Sequence, residues 1–324
     1  MTEPPPRPAG EPPPSETIAE ALEFLRRLRH GIDDGLDPIT ASEWAASSLP
    51  ASLRRAVERM ARRMRGDYRE DEWGFDEEFA EAAYPVFLWL YEHYWRVVAT
   101  GVHHVPAHGR AMLVANHAGV LPFDAAMMTI AIMREHPLPR WPRFMVLDWA
   151  FSVPWASFFV RKVGGVAAAP ENAERLLGAE QPVMVFPEGV KGAGKPFSER
   201  YRLQRFGRGG FVEVALRTGS PLIPVAVVGS EEIYPKLGES QTLARMLGAP
   251  YMPVTPTFPH LGPLGLIPLP SRWRIEFCEP IDLSGYPPEA AEDRSLIFEL
   301  SEQVRETIQT TLYANLVKRR STFL

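Results

Sequence analysis

Three short runs, MLVA at 112–115, VMVF at 183–186 and LIPVAVV at 222–228, are apolar without interruption by a polar residue. A strand with one wet face alternates apolar and polar side chains, so an unbroken run marks a strand covered on both faces. Such strands need helices on either side of the sheet to do the covering. The text between the runs supplies them: FDAAMMTIAIMREH, PENAERLL and GRGGFVEVALRTG are amphipathic, while RFMVLD and WRIEFCEP read as further strands. The expected fold is α/β, a mostly parallel or mixed sheet flanked by helices. A long final helix runs through EDRSLIFELSEQVRETIQTTLYANLVKRR, whose closing Lys318, Arg319 and Arg320 complement a helix C-terminus.

The 324 residues allow one large domain or about two of ordinary size. The first fourteen hold seven prolines and no apolar core of a signal peptide, so residues 1–16 read as a disordered tail. Residues 17–83 read as a helical N-terminal region. TIAEALEFLRRLRH places Ile18, Leu22, Leu25 and Leu28 at helical spacing, and SLRRAVERMARRMR carries six arginines against one glutamate. That basic face suits either solvent or acidic lipid head groups. The connection near residues 67–83 is acidic, with Asp71, Glu72, Asp76, Glu77, Glu78 and Glu81. The sheet-forming domain then occupies 84–324. It opens on one helical stripe of Tyr84, Phe87, Leu88, Tyr91, Trp95 and Val98, which packs on the sheet or anchors at a membrane interface.

Composition narrows the function. A net charge of -5 argues against general nucleic-acid binding. The single cysteine, Cys278, excludes an internal disulfide, a CxxC pair and a multi-cysteine zinc site, and suits a reducing, cytoplasmic setting. No stretch reaches the roughly 18 apolar residues that a spanning helix needs, so the expected location is cytoplasmic with any membrane association peripheral. GVKGAGKP approaches a phosphate-cradling loop, but Pro196 stands where Ser or Thr must hold magnesium. His103, His104 and His108 lie in a Pro- and Gly-containing connection without a cysteine, and no GxSxG elbow occurs.

In α/β sheets the reactive groups collect beyond the carboxyl ends of the strands. After MLVA come Asn116 and His117, then Asp124 at the first turn of a helix; after VMVF come Pro187, Glu188 and Gly189. A histidine there can act as a general base, with a carboxylate behind the ring to fix its tautomer.

VANHAGVLPFD, FFVRKVGGVAAAPENA, VFPEGVKG and PLIPVAVVG, in this order, resemble the four blocks of the lysophospholipid and glycerolipid O-acyltransferase superfamily. The resemblance covers roughly residues 84–320 and implies that superfamily's 1-acylglycerol-3-phosphate acyltransferase-like domain. By this resemblance His117 is the base that deprotonates an acceptor hydroxyl and Asp124 holds its ring. Asn116, Arg161, Glu188, Gly189 and Lys191 shape the acceptor site, and Ile223, Pro224 and Val225 line the acyl side or pack as an ordinary strand. The implied reaction moves a fatty acyl group from acyl-CoA or acyl-carrier protein to a lysophospholipid or related glycerolipid. It requires no cofactor or metal, takes place at an anionic membrane surface, and involves no nucleic acid.

Two departures bear on the acceptor. Six residues separate His117 from Asp124 where the common signature has four, and Val190-Lys191 stands where lysophosphatidate acyltransferases usually read TR. A lysine replaces a bidentate guanidinium by a point charge. Both departures, with GGVAAAPENA, look like the branch that acylates diacylglycerol, monoacylglycerol and phytol. In the other direction, residues 191–208 carry Lys191, Lys195, Arg200, Arg202, Arg205 and Arg208 against Glu199, a surplus fit for phosphates or an anionic surface. A non-catalytic acyl-lipid-binding module is the rival from outside enzymology.

Overall fold

The computed structural model describes residues 14–49, 51–66, 70–117, 123–152, 154–246, 252–262, 265, 267–319 and 321–323. It divides into two compact units, Met1–Glu70 and Asp71–Leu324. Most of the Pro-rich tail lies outside the described residues; its last three, 14–16, already belong to the first helix.

The first unit is helical: α1 (Pro14–Asp33), α2 (Pro38–Ala45) and α3 (Ala51–Met64). Asp37 caps α2 by accepting from the backbone N–H groups of Ile39 and Thr40, and Pro38 suits the first helical turn, where its missing N–H costs nothing. Among the described residues of this unit, the buried apolar side chains are Ala41, Ala45, Ala46 and Ala61. On α3, Arg54 and Arg55 are exposed.

The second unit begins earlier than residue 84. The acidic stretch counted as a connection is tied to the sheet domain by ion pairs from Asp71 to Arg143, Glu72 to Arg175 and, at 3.2 Å, Asp76 to Lys162. Asp76 also caps α4 (Glu77–Trp89) through the N–H of Phe79. The aromatic stripe continues from α4 into a π-helical turn, Leu90–Tyr94, and ends there. Val98 belongs instead to the strand β1 (Val98–Thr100) and is exposed. Tyr91 and Trp95 are buried in the core, with Trp95 stacked on Trp273 at 4.9 Å, so the stripe packs on the sheet.

In chain order there follow β2 (Ala111–Ala115), α5 (Phe123–Glu135), β3 (Arg143–Val146), α6 (Trp149–Ser152), α7 (Pro154–Lys162), β4 (Gly165–Ala167), α8 (Pro170–Gly178), β5 (Pro182–Val185), α9 (Gly189–Ala193), α10 (Gly210–Thr218) and β6 (Leu222–Val228). A minor ribbon, β7 (Gly238–Glu239) with β8 (Pro253–Val254), flanks α11 (Gln241–Met246). The strand β9 (Arg274–Phe277) and the helix α12 (Arg294–Lys318) complete the unit. Among the described residues, seven strands form one sheet in the order β1-β9-β6-β2-β5-β3-β4, parallel at every pairing except β6 with β9.

The unbroken apolar runs now have their reason. In β2, Leu113 and Ala115 face a core shared with α5, while Met112 and Val114 face a second core shared with α8, α10 and α12. β6 does the same, with Ile223, Val225 and Val227 on one side and Leu222, Ala226 and Val228 on the other. A period of two on a sheet buried on both faces leaves no position for a polar side chain. Among the described residues no helix is long and apolar enough to cross a membrane.

Candidate active site

Register brings the first and third blocks together. β2 and β5 are parallel neighbours with Val114 opposite Val185, so His117 and Glu188 leave the two strands at equivalent positions. The backbone N–H of His117 donates to Glu188 Oε1 at 3.1 Å, and Glu188 Oε2 accepts the N–H of Gln204 at 2.7 Å. Asp124, buried in the first turn of α5, lies with its Oδ2 3.0 Å from His117 Nδ1. The six-residue gap therefore does not separate the pair. With its proton on Nδ1 and donated to Asp124, the ring keeps the Nε2 lone pair, which is the arrangement of a general base. The Phe186 ring packs on the imidazole with centroids 4.8 Å apart.

His117 lines a cavity of about 910 Å³ whose wall also takes in Val146, Val185 and Phe186. Pockets for small molecules span roughly 300–1,000 Å³, so this one is large. Phe87, Phe123, Ile130 and Phe159 line it on one side of the sheet, Phe211 and Val214 on the other, with Phe186 and Gly189 between. Among the described residues, no Lys, Arg, Asp or Glu lines it. Leu147 and Phe158 belong to its wall and are also exposed, which places apolar side chains where the cavity meets the surface.

The other sequence-derived site residues divide. Gly189 is in the lining and adopts φ +55°, a left-handed conformation that favours glycine at the turn into α9. Asn116 is fully buried and clips β2 to β6, donating to the carbonyl of Val227 at 2.9 Å and accepting its N–H at 2.7 Å. Its position serves the sheet. Pro224 lies within β6, opposite Val114, and none of Ile223, Pro224 and Val225 lines the cavity; packing as a buried strand accounts for them. Arg161 is exposed on α7 with its guanidinium 4.7 Å from the Phe151 ring, and Lys191 is exposed on α9. Neither lines the cavity.

Lys195 is the residue that composition misplaces. Counted with the basic stretch 191–208, it is in fact buried, 2.9 Å from Glu231 Oε1 and 3.5 Å from Glu188 Oε2, whereas Lys191, Arg200, Arg202, Arg205 and Arg208 are exposed. Glu231 went unnoticed, although a charged pair directly behind the longest apolar run is a usable signal. Burial pushes the Glu231 carboxyl up from its ordinary 4.5 to about 7, with Lys195 opposing and Glu188 adding to the rise. The folded chain thus holds this proton more tightly than the unfolded one. The resulting stability is fully present below about 4.5 and is lost as pH rises through about 7. Glu231→Gln is expected to lose less stability across that window than the wild type, as read by urea denaturation at a series of pH values.

The chain is similar to several known proteins. An uncharacterized protein of Mycobacterium tuberculosis is 46% identical over 308 residues, which cover 94% of this chain and 86% of the relative. Phytyl ester synthase 2 of Arabidopsis thaliana is 31% identical over 139 residues, 40% of this chain and 19% of that protein. Among solved structures, the 1-acyl-sn-glycerophosphate (LPA) acyltransferase PlsC of Thermotoga maritima is 18% identical. The match covers 94% of this chain and 99% of that one, with a TM-score of 0.49. The family model described as Acyltransferase matches residues 96–228, the stretch that holds His117, Asp124 and Glu188. The histidine and aspartate joined at the end of a central strand therefore lie inside the segment, residues 96–228, over which the chain matches the acyltransferase family.

Proposed function

We propose that this protein is an O-acyltransferase that moves a fatty acyl group from acyl-CoA or acyl-carrier protein to the hydroxyl of an uncharged, apolar alcohol, with His117 as the base. The observation that carries the reading is the placing of His117, braced by Asp124, in the wall of a large cavity with no charged side chain in its described lining. A phosphate or carboxylate brought into such a wall loses its hydration without a partner, which costs several kcal/mol by the general rule for buried charge. A long acyl chain and an apolar alcohol incur no such cost. Phytyl ester synthase 2, to which part of the chain is similar, bears a name that fits a neutral acceptor.

In the proposed reaction the acceptor oxygen attacks the thioester carbonyl carbon while Nε2 takes the hydroxyl proton. The imidazolium that forms is stabilised by the Asp124 carboxylate 3.0 Å from Nδ1. The tetrahedral oxyanion collapses, the C–S bond breaks, and the proton on Nε2 passes to the departing thiolate. Ester and free thiol are the products, with no covalent enzyme intermediate.

One observation favours a second reading, transfer to a lysophospholipid. Lys191 stands two residues beyond Gly189 of the cavity wall, and with the exposed Arg200, Arg202, Arg205 and Arg208 it offers cations outside the cavity for a head-group phosphate. The same cations, the exposed Trp89 and Val86 of α4, and the exposed Leu147 and Phe158 of the cavity wall support docking on an anionic lipid surface. Cosedimentation with phosphatidylglycerol vesicles that weakens with salt is the expected result; indifference to those vesicles removes the membrane part.

Thiol release from a long-chain acyl-CoA, and in parallel from acyl-carrier protein, decides among the acceptors when long-chain alcohol, diacylglycerol and lysophosphatidate are offered separately. Release that depends on the alcohol or diacylglycerol supports the proposal, and release that depends on lysophosphatidate alone overturns the neutral acceptor. Binding without release from either donor would favour the non-catalytic module. Ala126, in the cavity wall, gives a further expectation. Ala126→Phe fills hydrocarbon space, so palmitoyl transfer should fall relative to octanoyl transfer, on the order of tenfold in the kcat/KM ratio.

A further inference from the structure

The placing of His117 depends on a carboxylate that does not touch the cavity. Glu188 holds the backbone N–H of His117 with one oxygen and that of Gln204 with the other, and its side chain is wholly buried. A carboxylate in that position needs a counter-charge. Lys195 supplies it from 3.5 Å, and is itself held by Glu231 at 2.9 Å and by the carbonyl of Arg202 at 3.3 Å. Glu231 is fixed in turn by the N–H of Tyr201 at 3.0 Å. The side chains of Lys195 and Glu231 are each only 4% exposed, and none of Glu188, Lys195 and Glu231 lines the cavity. One cation thus serves two carboxylates, one at the third block and one at the end of β6, in a cluster screened from substrate.

We propose that Lys195 is a positioning residue for acyl transfer. It holds Glu188 in place, and through Glu188 it fixes the backbone of His117, so that it governs turnover and leaves substrate affinity alone. This rests on the reading of His117 as the base. A displacement of about 1 Å at a reacting group can cost on the order of 100-fold, which sets the scale of the effect.

The test uses the full chain with Lys195→Met and the gentler Lys195→Gln, which keeps a donor and loses the charge. Two readouts are taken on each: kcat and KM for acyl transfer, and the backbone amide resonance of His117 in protein labelled with ¹⁵N-histidine, assigned by its absence in His117→Ala. The expected result is a kcat lower by roughly 10-fold to 100-fold, KM unchanged, and a displaced His117 amide signal in whichever variant folds. Partial recovery in Lys195→Arg is expected because the charge returns. A KM that rises with kcat intact would make Lys195 a substrate-binding group, and an unmoved amide signal would disconnect it from His117; either overturns the proposal. The amide readout requires no activity, so it stands even if His117→Ala proves as active as the wild type and the base assignment fails.

Discussion

His117→Ala is expected to lower acyl transfer by about 100-fold to 10,000-fold, the usual cost of losing a general base. The loss should fall on kcat, because the cavity proposed to receive the hydrocarbon is made almost wholly of other side chains. Asp124→Asn tests the other half of the pair. An amide keeps the shape but carries no charge to stabilise the imidazolium, and it can present N–H to Nδ1 and so favour the wrong tautomer. A large fall in kcat with fatty-acyl binding retained, followed by the fluorescence of a bound polyene fatty acid, is the expected pattern. Activity that survives both substitutions would remove the pair from the mechanism.

The second large effect concerns stability. Arg319, just beyond α12, forms a bidentate ion pair with Glu232, with both N···O distances 2.5 Å, and also donates to the carbonyl of Arg272 at 3.1 Å. The side chains of Arg319 and Glu232 are 8% and 2% exposed. Removing one partner of a buried pair leaves the other charge uncompensated, which typically costs about 3–5 kcal/mol. Arg319→Met should therefore lower the urea-unfolding free energy by about that amount. Arg319→Met/Glu232→Leu should recover much of it, since an apolar pair of similar volume is often neutral against a buried ion pair. Equal stability of the single variant and the wild type would show that the pair contributes nothing.

Much of the architecture was legible because it is written locally. MLVA and VMVF announce strands covered on both faces, and the residues two positions behind these runs, His117 and Glu188, are the ones the sheet brings into contact. Parallel strands expose reactive groups at their carboxyl ends, so position in the text translates into position in space. Asn116 shows the limit of that translation. Adjacent to His117, it read as a binding residue, yet its amide matches the two backbone groups of Val227 on the neighbouring strand, a partner 111 positions away. Helical phase on α7 and α9, not proximity in the chain, likewise turns Arg161 and Lys191 to the surface and out of the cavity lining.

The amino-acid order alone determined the layers, the strand ends and His117 as the candidate base, because each depends on runs and spacings a few residues long. Only the tertiary structure decided that Asp124 reaches His117 across six residues, that Lys195 is a buried counter-ion instead of a surface cation, and that no Lys, Arg, Asp or Glu enters the described cavity lining. Those outcomes depend on distances between residues far apart in sequence, which register and helix packing set and which no local period encodes.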